Sequence, residues 1–339
     1  MQLRIGIAVL AAVSLLASWE SAAGPEAPPA RGYLLVANKG DRTLGIIDPE
    51  AGRQIATIRE SGFTGHEVAA SPDGRFAYVP IYGDSGVGQP GSDGRTMDVI
   101  ALASRKIVAT IDFGRPVRAH GAAFGPRNGL LYVTTELTNT IDVIDPKTHK
   151  IVGQIPTDQP ESHMLAINRD GTRAYTSNVH AGTVSAVDLV THKVIAAIPV
   201  SAHAQRIALS VDDRYAFTAD QTQPQLAVID TATNQAKTRI PLPTLAYGTA
   251  PTLDGKWLLV TLPDAGQVAV VDLGTLKVAR TVEVPKSPQE ILVRPDNQVA
   301  YVSCHESRKV AAINLKTWKV ERLIEAGPLA DGLAWAQAD

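Results

Sequence analysis

The sequence is poor in several kinds of residue, and each shortage excludes a class of protein. It contains one cysteine, Cys304, so the chain cannot form an internal disulfide. The net charge is −2 at pH 7 and there is no basic stretch, so the sequence shows no electrostatic footprint for nucleic acid. Aromatic residues make up only 5% of the chain, whereas hydrophobic residues reach 45%. Val, Ile and Ala must therefore fill most of the core, which suits strands buried on both faces.

Several sequence motifs of cofactor sites and enzymes are also absent. There is no C-x-x-C-H sequence, which excludes covalently attached c-type haem. No P-loop is present, and no G-x-G-x-x-G sequence follows a predicted strand, so we expect no nucleotide cofactor. The G-x-S-x-G turn of many serine hydrolases is missing as well.

The N-terminus has the features of a secretory signal peptide. An apolar run over residues 5–17 is too short to span a membrane as a retained helix, and small residues at Ser21 and Ala23 suit cleavage. We expect a signal peptide over 1–23, cleaved after Ala23, and a flexible leader over 24–32. The mature protein would then be periplasmic or secreted, with no transmembrane segment.

One pattern of two strand-like runs joined by a polar turn occurs seven times. The copies cover residues 45–58, 98–111, 142–155, 185–198, 227–240, 269–282 and 311–324. Most copies begin about 42 residues apart, a period typical of four-stranded propeller blades. The repeat predicts an all-β fold, a seven-bladed β-propeller of four-stranded antiparallel blades over 33–337.

The two ends of the repeat region complement each other. The segment 33–39 matches second strands of the repeat, whereas 330–337 matches first strands. We therefore predict that the N-terminal strands, within 33–58, pair with the C-terminal strand 330–337. Such closure removes the free sheet edges that favour aggregation, and we expect a monomer.

The blade pattern resembles that of a known family. Segments such as VAASPDG (68–74) and TVSAVDLVTHKV (183–194) resemble the YVTN-repeat (YncE-like) β-propeller family, and the resemblance extends over residues 31–337. Relatives by repeat type include lactonase-like propellers and the haem-binding propellers of cytochrome-cd nitrite reductases. The resemblance implies the fold but leaves the activity open, because one fold hosts many functions.

Alignment of the repeats on one another identifies a candidate site. Seven polar residues share the register that opens each first strand: His66, His120, His163, Gln205, Tyr247, Gln289 and Asp331. The residues at this register should surround the mouth of the central channel. Imidazoles from adjacent blades are suitable ligands for Zn²⁺, Cu²⁺ or Fe²⁺, so we predict a metal site at His66, His120 and His163. Alternatively, these residues only bind water and neighbouring loops in a wet channel.

Other candidates lie on the same face of the disc. Glu67 and His203 are the candidate general bases. The further candidates for ligand contact are Arg118, Arg206, Tyr247, Gln289, Asp331, Cys304, Asp84 and Asp93. The loop 81–95 is the longest connection and carries Asp84 and Asp93. Four roles are compatible with its sequence: a lid, a Ca²⁺ loop, a partner-binding flap or a neutral insertion.

Three functions follow as hypotheses. The first is a binding protein for a small molecule, with a divalent metal at the channel mouth and in its catalytic form a lactonase-like hydrolase. The second is a non-catalytic scaffold that binds a protein of the cell envelope. The third, implied only by the family resemblance, is a haem-handling or electron-transfer propeller, and the sequence ranks haem behind a divalent metal.

Overall fold

A computed structural model describes residues 30–84 and 86–338. The predicted signal peptide and the leader as far as residue 29 lie outside the described residues. Within them, 28 strands form seven separate four-stranded sheets. The predicted seven-bladed propeller is therefore confirmed.

Each blade has an innermost strand beside the channel and three further strands outside it. From the inside outward, blade 1 consists of β28 (Ala330–Gln337), β1 (Gly32–Asn38), β2 (Thr43–Asp48) and β3 (Arg53–Arg59). In the same order, blade 2 consists of β4 (Ala69–Ala70), β5 (Phe76–Pro80), β6 (Thr96–Ala101) and β7 (Lys106–Asp112). Blade 3 consists of β8 (Ala119–Phe124), β9 (Leu131–Thr135), β10 (Thr140–Asp145) and β11 (Lys150–Pro156).

The remaining four blades follow the same plan. Blade 4 consists of β12 (Ser162–Ile167), β13 (Arg173–Asn178), β14 (Thr183–Asp188) and β15 (Lys193–Pro199). Blade 5 consists of β16 (Ala204–Leu209), β17 (Tyr215–Asp220), β18 (Gln225–Asp230) and β19 (Gln235–Pro241). Blade 6 consists of β20 (Thr249–Pro251), β21 (Trp257–Leu262), β22 (Gln267–Asp272) and β23 (Lys277–Glu283). Blade 7 consists of β24 (Pro288–Val293), β25 (Val299–Cys304), β26 (Lys309–Asn314) and β27 (Lys319–Glu325).

Burial along the strands explains the composition. The middle strands are buried on both faces and read as near-continuous apolar runs, whereas outer strands such as β11 alternate between exposed and partly buried residues. Neighbouring blades pack through shared apolar clusters, for example Leu35 and Ile46 of blade 1 with Val79 and Ile100 of blade 2. The blades thus form one continuous ring.

The ring is closed by the two ends of the described chain. Strand β28 pairs antiparallel with β1, with Trp335 opposite Leu34 and Leu333 opposite Val36. This confirms the predicted pairing of 330–337 with the N-terminal strands. The only helices among residues 30–84 and 86–338 are two 3₁₀ turns, Pro263–Ala265 and His305–Ser307, and neither is long and apolar enough to cross a membrane.

The innermost strand begins with a β-bulge in five blades. The register shifts across residues 119–122, 162–164, 204–207, 288–291 and 330–333. A bulge bends its strand and redirects the side chain within it. Five of the seven residues predicted to surround the mouth fall inside these bulges, so a repeated backbone irregularity places them there.

Candidate functional site at the channel mouth

The three predicted histidines lie together on one side of the mouth. The ring centroids of His66 and His120 are 5.5 Å apart, and those of His120 and His163 are 3.6 Å apart. All three side chains are buried, and His163 is fully buried. Burial holds the pKa of His66 and His120 well below the usual value for histidine, so both rings are neutral at pH 7.

This arrangement does not form the predicted metal site. His120 and His163 are stacked with an interplanar angle of 30°. A metal lies in the plane of each imidazole that binds it, and nearly parallel stacked rings cannot both direct a lone pair at one ion. Within the part of the chain that the structure describes, no group of three His, Cys, Asp or Glu residues could hold a metal ion.

His163 has a fixed orientation. Its Nδ1 lies 2.5 Å from Glu136 Oε1, and the second carboxylate oxygen of Glu136 accepts a hydrogen bond from the Tyr82 hydroxyl at 2.7 Å. In the tautomer in which Nδ1 donates to this carboxylate, the lone pair of the ring lies on Nε2. That Nε2 atom is buried and has no hydrogen-bond partner among the described residues. His163 thus presents one free ligand atom.

Tyr82 is a component of the site that the sequence did not reveal. It lies at the base of the long loop, fully buried, and its ring stacks on His66 with a centroid distance of 4.4 Å. Burial and the Glu136 carboxylate both raise the pKa of Tyr82, so its hydroxyl stays protonated and donates to Glu136. In the sequence, only its position just after the run that forms β5 could have indicated that Tyr82 belongs to the site.

The other side of the mouth is an ion cluster centred on Arg206. This buried guanidinium, from blade 5, crosses the channel to carboxylates of three other blades. Its Nη1 contacts Glu67 at 2.7 Å and also contacts Glu290, and its Nη2 contacts Asp331 at 2.9 Å. Lys39 binds the second oxygen of Asp331 at 3.1 Å. The predicted candidates Arg206, Asp331 and Glu67 are therefore in direct contact.

The carboxylates of this cluster differ in charge state. Burial raises the pKa of Glu67 to about 8 against the opposing effect of Arg206. For Asp331, burial is outweighed by Lys39 and Arg206, which lower its pKa to about 2. Burial also raises the pKa of Glu290. Asp331 is thus the carboxylate of the cluster that the neighbouring cations keep ionised at pH 7.

Glycines allow the inner strands to come close enough for these contacts. A Cβ atom on Gly332 would lie 2.6 Å from the carbonyl oxygen of His66, and one on Gly248 would lie 2.2 Å from that of Gln289. Both distances are shorter than real Cβ contacts allow. Any larger residue would therefore push neighbouring blades apart at the mouth.

The long loop covers the histidine side of the mouth. Arg118 Nε donates to Asp93 at 2.6 Å and its Nη2 donates to the Gln89 carbonyl, also at 2.6 Å. Gly88 lies beside the carboxylate of Glu161, since a Cβ on Gly88 would meet Glu161 Oε1 at 3.1 Å. Among the alternatives for this loop, these contacts favour a cover that extends from blade 2 across blades 3 and 4.

Several predicted residues have other surroundings. Asp84 accepts a hydrogen bond from the Ser92 backbone and stabilises the loop itself. Cys304 is fully buried in the apolar cluster of blades 6 and 7, and burial raises the pKa of its thiol to about 12, so the structure gives it no ligand contact. Gln289 contacts the Ser287 hydroxyl at 3.2 Å. Tyr247 lies under Arg206, with 5.1 Å from the guanidinium carbon to the ring centroid.

The two candidate general bases are not brought together. Glu67 is buried against Arg206, whereas His203 is exposed at the rim of blade 5. No hydrogen bond or ion pair joins them among the described residues. The structure therefore gives no support to the hydrolase hypothesis.

A buried carboxyl near the mouth makes stability depend on pH. Glu60 accepts a hydrogen bond from the Gly65 backbone at 2.7 Å, and burial raises its pKa to about 8. Between about pH 4.5 and pH 8 the folded protein binds a proton that the unfolded chain has lost, so stability falls as the pH rises. We expect Glu60→Gln to be about 2–4 kcal/mol more stable than wild type at pH 8 and nearly equal to it at pH 4.5. Urea denaturation at both pH values checks this, and equal stability at pH 8 would contradict it.

Comparisons with known proteins add a likeness to haem proteins. The family model of the cytochrome D1 heme domain matches residues 124–252, which include Glu136, His163 and Arg206. This segment is less than half of the chain and excludes His66, Tyr82 and Arg118. A comparison with curated protein sequences finds no match. The YVTN-type resemblance stays a prediction.

Similar solved structures share the fold. A chain of hydrazine synthase from Kuenenia stuttgartiensis is 18% identical with a TM-score of 0.73, covering 88% of this chain and 99% of that one. A functionally unknown protein from Desulfotomaculum acetoxidans is 14% identical with a TM-score of 0.75, covering 91% and 100%. Dihydro-heme d1 dehydrogenase NirN, solved in complex with DHE, is 15% identical with a TM-score of 0.63, covering 94% and 78%. At these identities the likeness establishes the propeller fold alone.

Proposed function

We propose that this protein binds an iron tetrapyrrole at the histidine side of its channel mouth, where His163 would hold the iron. The observation that carries the proposal is the His163–Glu136 contact, which leaves a buried imidazole Nε2 without a partner. Histidines that bind iron or other metals commonly donate their second ring N–H to a carboxylate, which fixes the tautomer and strengthens the ligand. The likeness of residues 124–252 to the cytochrome D1 heme domain supports the same class of ligand.

The described residues fit such a group by their chemistry. His163 would supply one nitrogen ligand, and a tetrapyrrole iron, unlike a bare metal ion, does not need three converging side chains from the protein. The neutral rings of His66 and His120 would offer uncharged aromatic faces beside it. A tetrapyrrole iron bound there would supply redox chemistry, while the protein supplies the ligand, its orientation and the exclusion of water.

The site is closed in the structure, which sets a condition on binding. His163 has no exposed surface: His120 stacks on its ring and Glu136 binds its Nδ1. The ligand therefore enters only when part of this cover moves. Haem replaces the divalent metal as the first-ranked cofactor, because the unpartnered His163 Nε2 suits a single bond to iron, whereas the stacked rings of His120 and His163 do not suit a metal ion on its own.

We expect ferric protoporphyrin IX, or haem d1, added to the purified protein to give a shifted Soret band that saturates at one equivalent. The His163→Ala variant should bind the same haem at least about tenfold more weakly, because the axial bond is lost. The measurement is an absorbance titration at pH 7, repeated with iron-free protoporphyrin IX. The iron-free compound should not distinguish the two proteins.

The matched control is His192→Asn, which replaces an exposed histidine in the β14–β15 turn on the opposite face. Asparagine tolerates the positive φ of 57° at this position. This variant should bind haem like wild type. A wild-type protein that shows no Soret change with either haem, or a His163→Ala variant with unchanged affinity, would overturn the proposal.

A further inference from the structure

The loop that covers the mouth also neutralises a buried cation there. We propose that Arg118 is a carboxylate-binding residue of this site and that Asp93 of the loop occupies the ligand carboxylate's position while no ligand is bound. The inference rests on the proposed function and goes beyond it, because it assigns the chemical class of ligand and the way in which the site opens. The ligand would be a tetrapyrrole that carries free carboxylates.

Arg118 is buried, yet the acceptors found for its guanidinium come from the loop. The side chain is 7% exposed, and its Nε and Nη2 atoms donate to the Asp93 carboxylate and the Gln89 carbonyl. By contrast, Arg206 on the other side of the mouth is neutralised by carboxylates of the blades themselves. Removal of the loop from the mouth would therefore leave the Arg118 guanidinium without these two acceptors, which favours capture of another carboxylate.

The position of Arg118 places it beside the proposed ligand. It lies two residues before His120 in the sequence, and its guanidinium carbon is 5.8 Å from the centroid of the Tyr82 ring, which stacks on His66. Equivalent residues in four other blades also have a left-handed backbone: Thr64, Glu161, Ser287 and Leu329. Among these five positions of one register, Arg118 is the only cation.

The loop has a fixed base and a separate outer part. Backbone hydrogen bonds tie Tyr82 to Thr64 and Gly94 to Tyr82, and Val117 donates to Gly94, so both ends of the loop are held by the propeller. Gly83 also pairs with Asp93, and Asp84 and Ser92 are joined by two hydrogen bonds, so the base extends to these residues. The outer part, residues 86–91, contacts the mouth through the bond from Arg118 to the Gln89 carbonyl. Gly83, with φ of 123°, lies in the base in a conformation that only glycine adopts readily. Exchange of the Asp93 side chain for a ligand carboxylate would free Arg118 while the backbone of the base stays paired.

The test compares two iron porphyrins that differ only in their carboxylates: ferric protoporphyrin IX and its dimethyl ester, in the same detergent. We expect wild type to bind the free acid more tightly than the ester. Arg118→Gln should bind the free acid about ten- to a hundredfold more weakly and the ester almost unchanged, so that the preference disappears. Asp93→Asn should bind the free acid more tightly than wild type, because the competing carboxylate is gone. Arg75→Gln is the control, since Arg75 is an exposed arginine paired with Asp73 on the opposite face.

The outcomes separate this inference from the proposed function. If wild type binds neither porphyrin, the proposed function fails. If wild type binds both but Arg118→Gln retains the wild-type preference for the free acid, the role of Arg118 is wrong while tetrapyrrole binding stands. If Asp93→Asn binds the free acid no better than wild type, Asp93 does not compete with the ligand. Circular dichroism and the unchanged ester affinity show that each variant is folded.

Discussion

Replacement of Arg206 by methionine is expected to lower the free energy of unfolding by about 3–5 kcal/mol. The substitution removes the buried cation that neutralises carboxylates from blades 1, 2 and 7. Asp331 keeps Lys39 as a partner, but Glu67 and Glu290 lose theirs and remain away from water. Loss of one partner from a buried ion cluster costs more than the cluster contributes as a whole, because the remaining carboxyl groups stay desolvated and lose their hydrogen bonds to the guanidinium.

Urea denaturation at pH 7 measures this effect, with two companion variants. Arg214→Met changes an exposed arginine just before β17 and should shift stability by less than about 0.5 kcal/mol. The triple variant Arg206→Met, Glu67→Gln, Glu290→Gln should recover much of the loss, since the unpaired carboxyls are then neutral amides. A single variant within about 1 kcal/mol of wild type would show that the cluster contributes little.

The second large effect is expected from removal of the closing strand. A chain ending at Leu329 lacks β28, so it exposes the edge of β1 and uncovers the apolar cluster around Leu34, Val36 and Tyr301. It also loses Asp331, the partner of Lys39 and Arg206. We expect this chain to show no cooperative thermal unfolding and to aggregate, because the loss exceeds the roughly 5–15 kcal/mol of stability that a folded domain has.

The control for this experiment is a chain ending at Gln337, which keeps all of β28 and should unfold like wild type. Addition of a synthetic peptide covering residues 328–339 to the shortened chain should restore part of the folded signal, because strand pairing and burial need no covalent link. Cooperative unfolding of the chain ending at Leu329, at a temperature near that of wild type, would contradict the closing role of β28.

The fold was predictable because its determinants are local and repeated. Each blade has the same alternation of apolar runs and polar turns. Because seven copies of this pattern agree, the fold could be predicted without knowledge of any contact between distant residues. Closure followed from the same pattern, since 33–39 matched second strands and 330–337 matched first strands. The register at the mouth was also readable, because His66, His120 and His163 take equivalent places in adjacent blades.

The chemistry of the site was less predictable because it depends on directions and on contacts between distant residues. The sequence brought three histidines to one place, but the stacking of His120 on His163 is a matter of side-chain rotation, and the resulting arrangement gives the predicted metal site no support. Glu136 and Tyr82 belong to blades 3 and 2 and meet His163 of blade 4 only in the folded ring. Likewise, nothing in the local sequence of Cys304 distinguishes a core thiol from a channel thiol.

By itself, the sequence determined the number of blades, the way the ring closes and the face on which the polar residues gather. These follow from periodicity, and periodicity is a property of the chain. The tertiary structure alone decided which of those residues touch: that Arg206 crosses the channel to three blades, that Glu136 orients His163, and that Asp93 covers Arg118. The contacts of Arg206 in particular depend on the closed ring, which brings Asp331, 125 positions away in the sequence, to within hydrogen-bond distance.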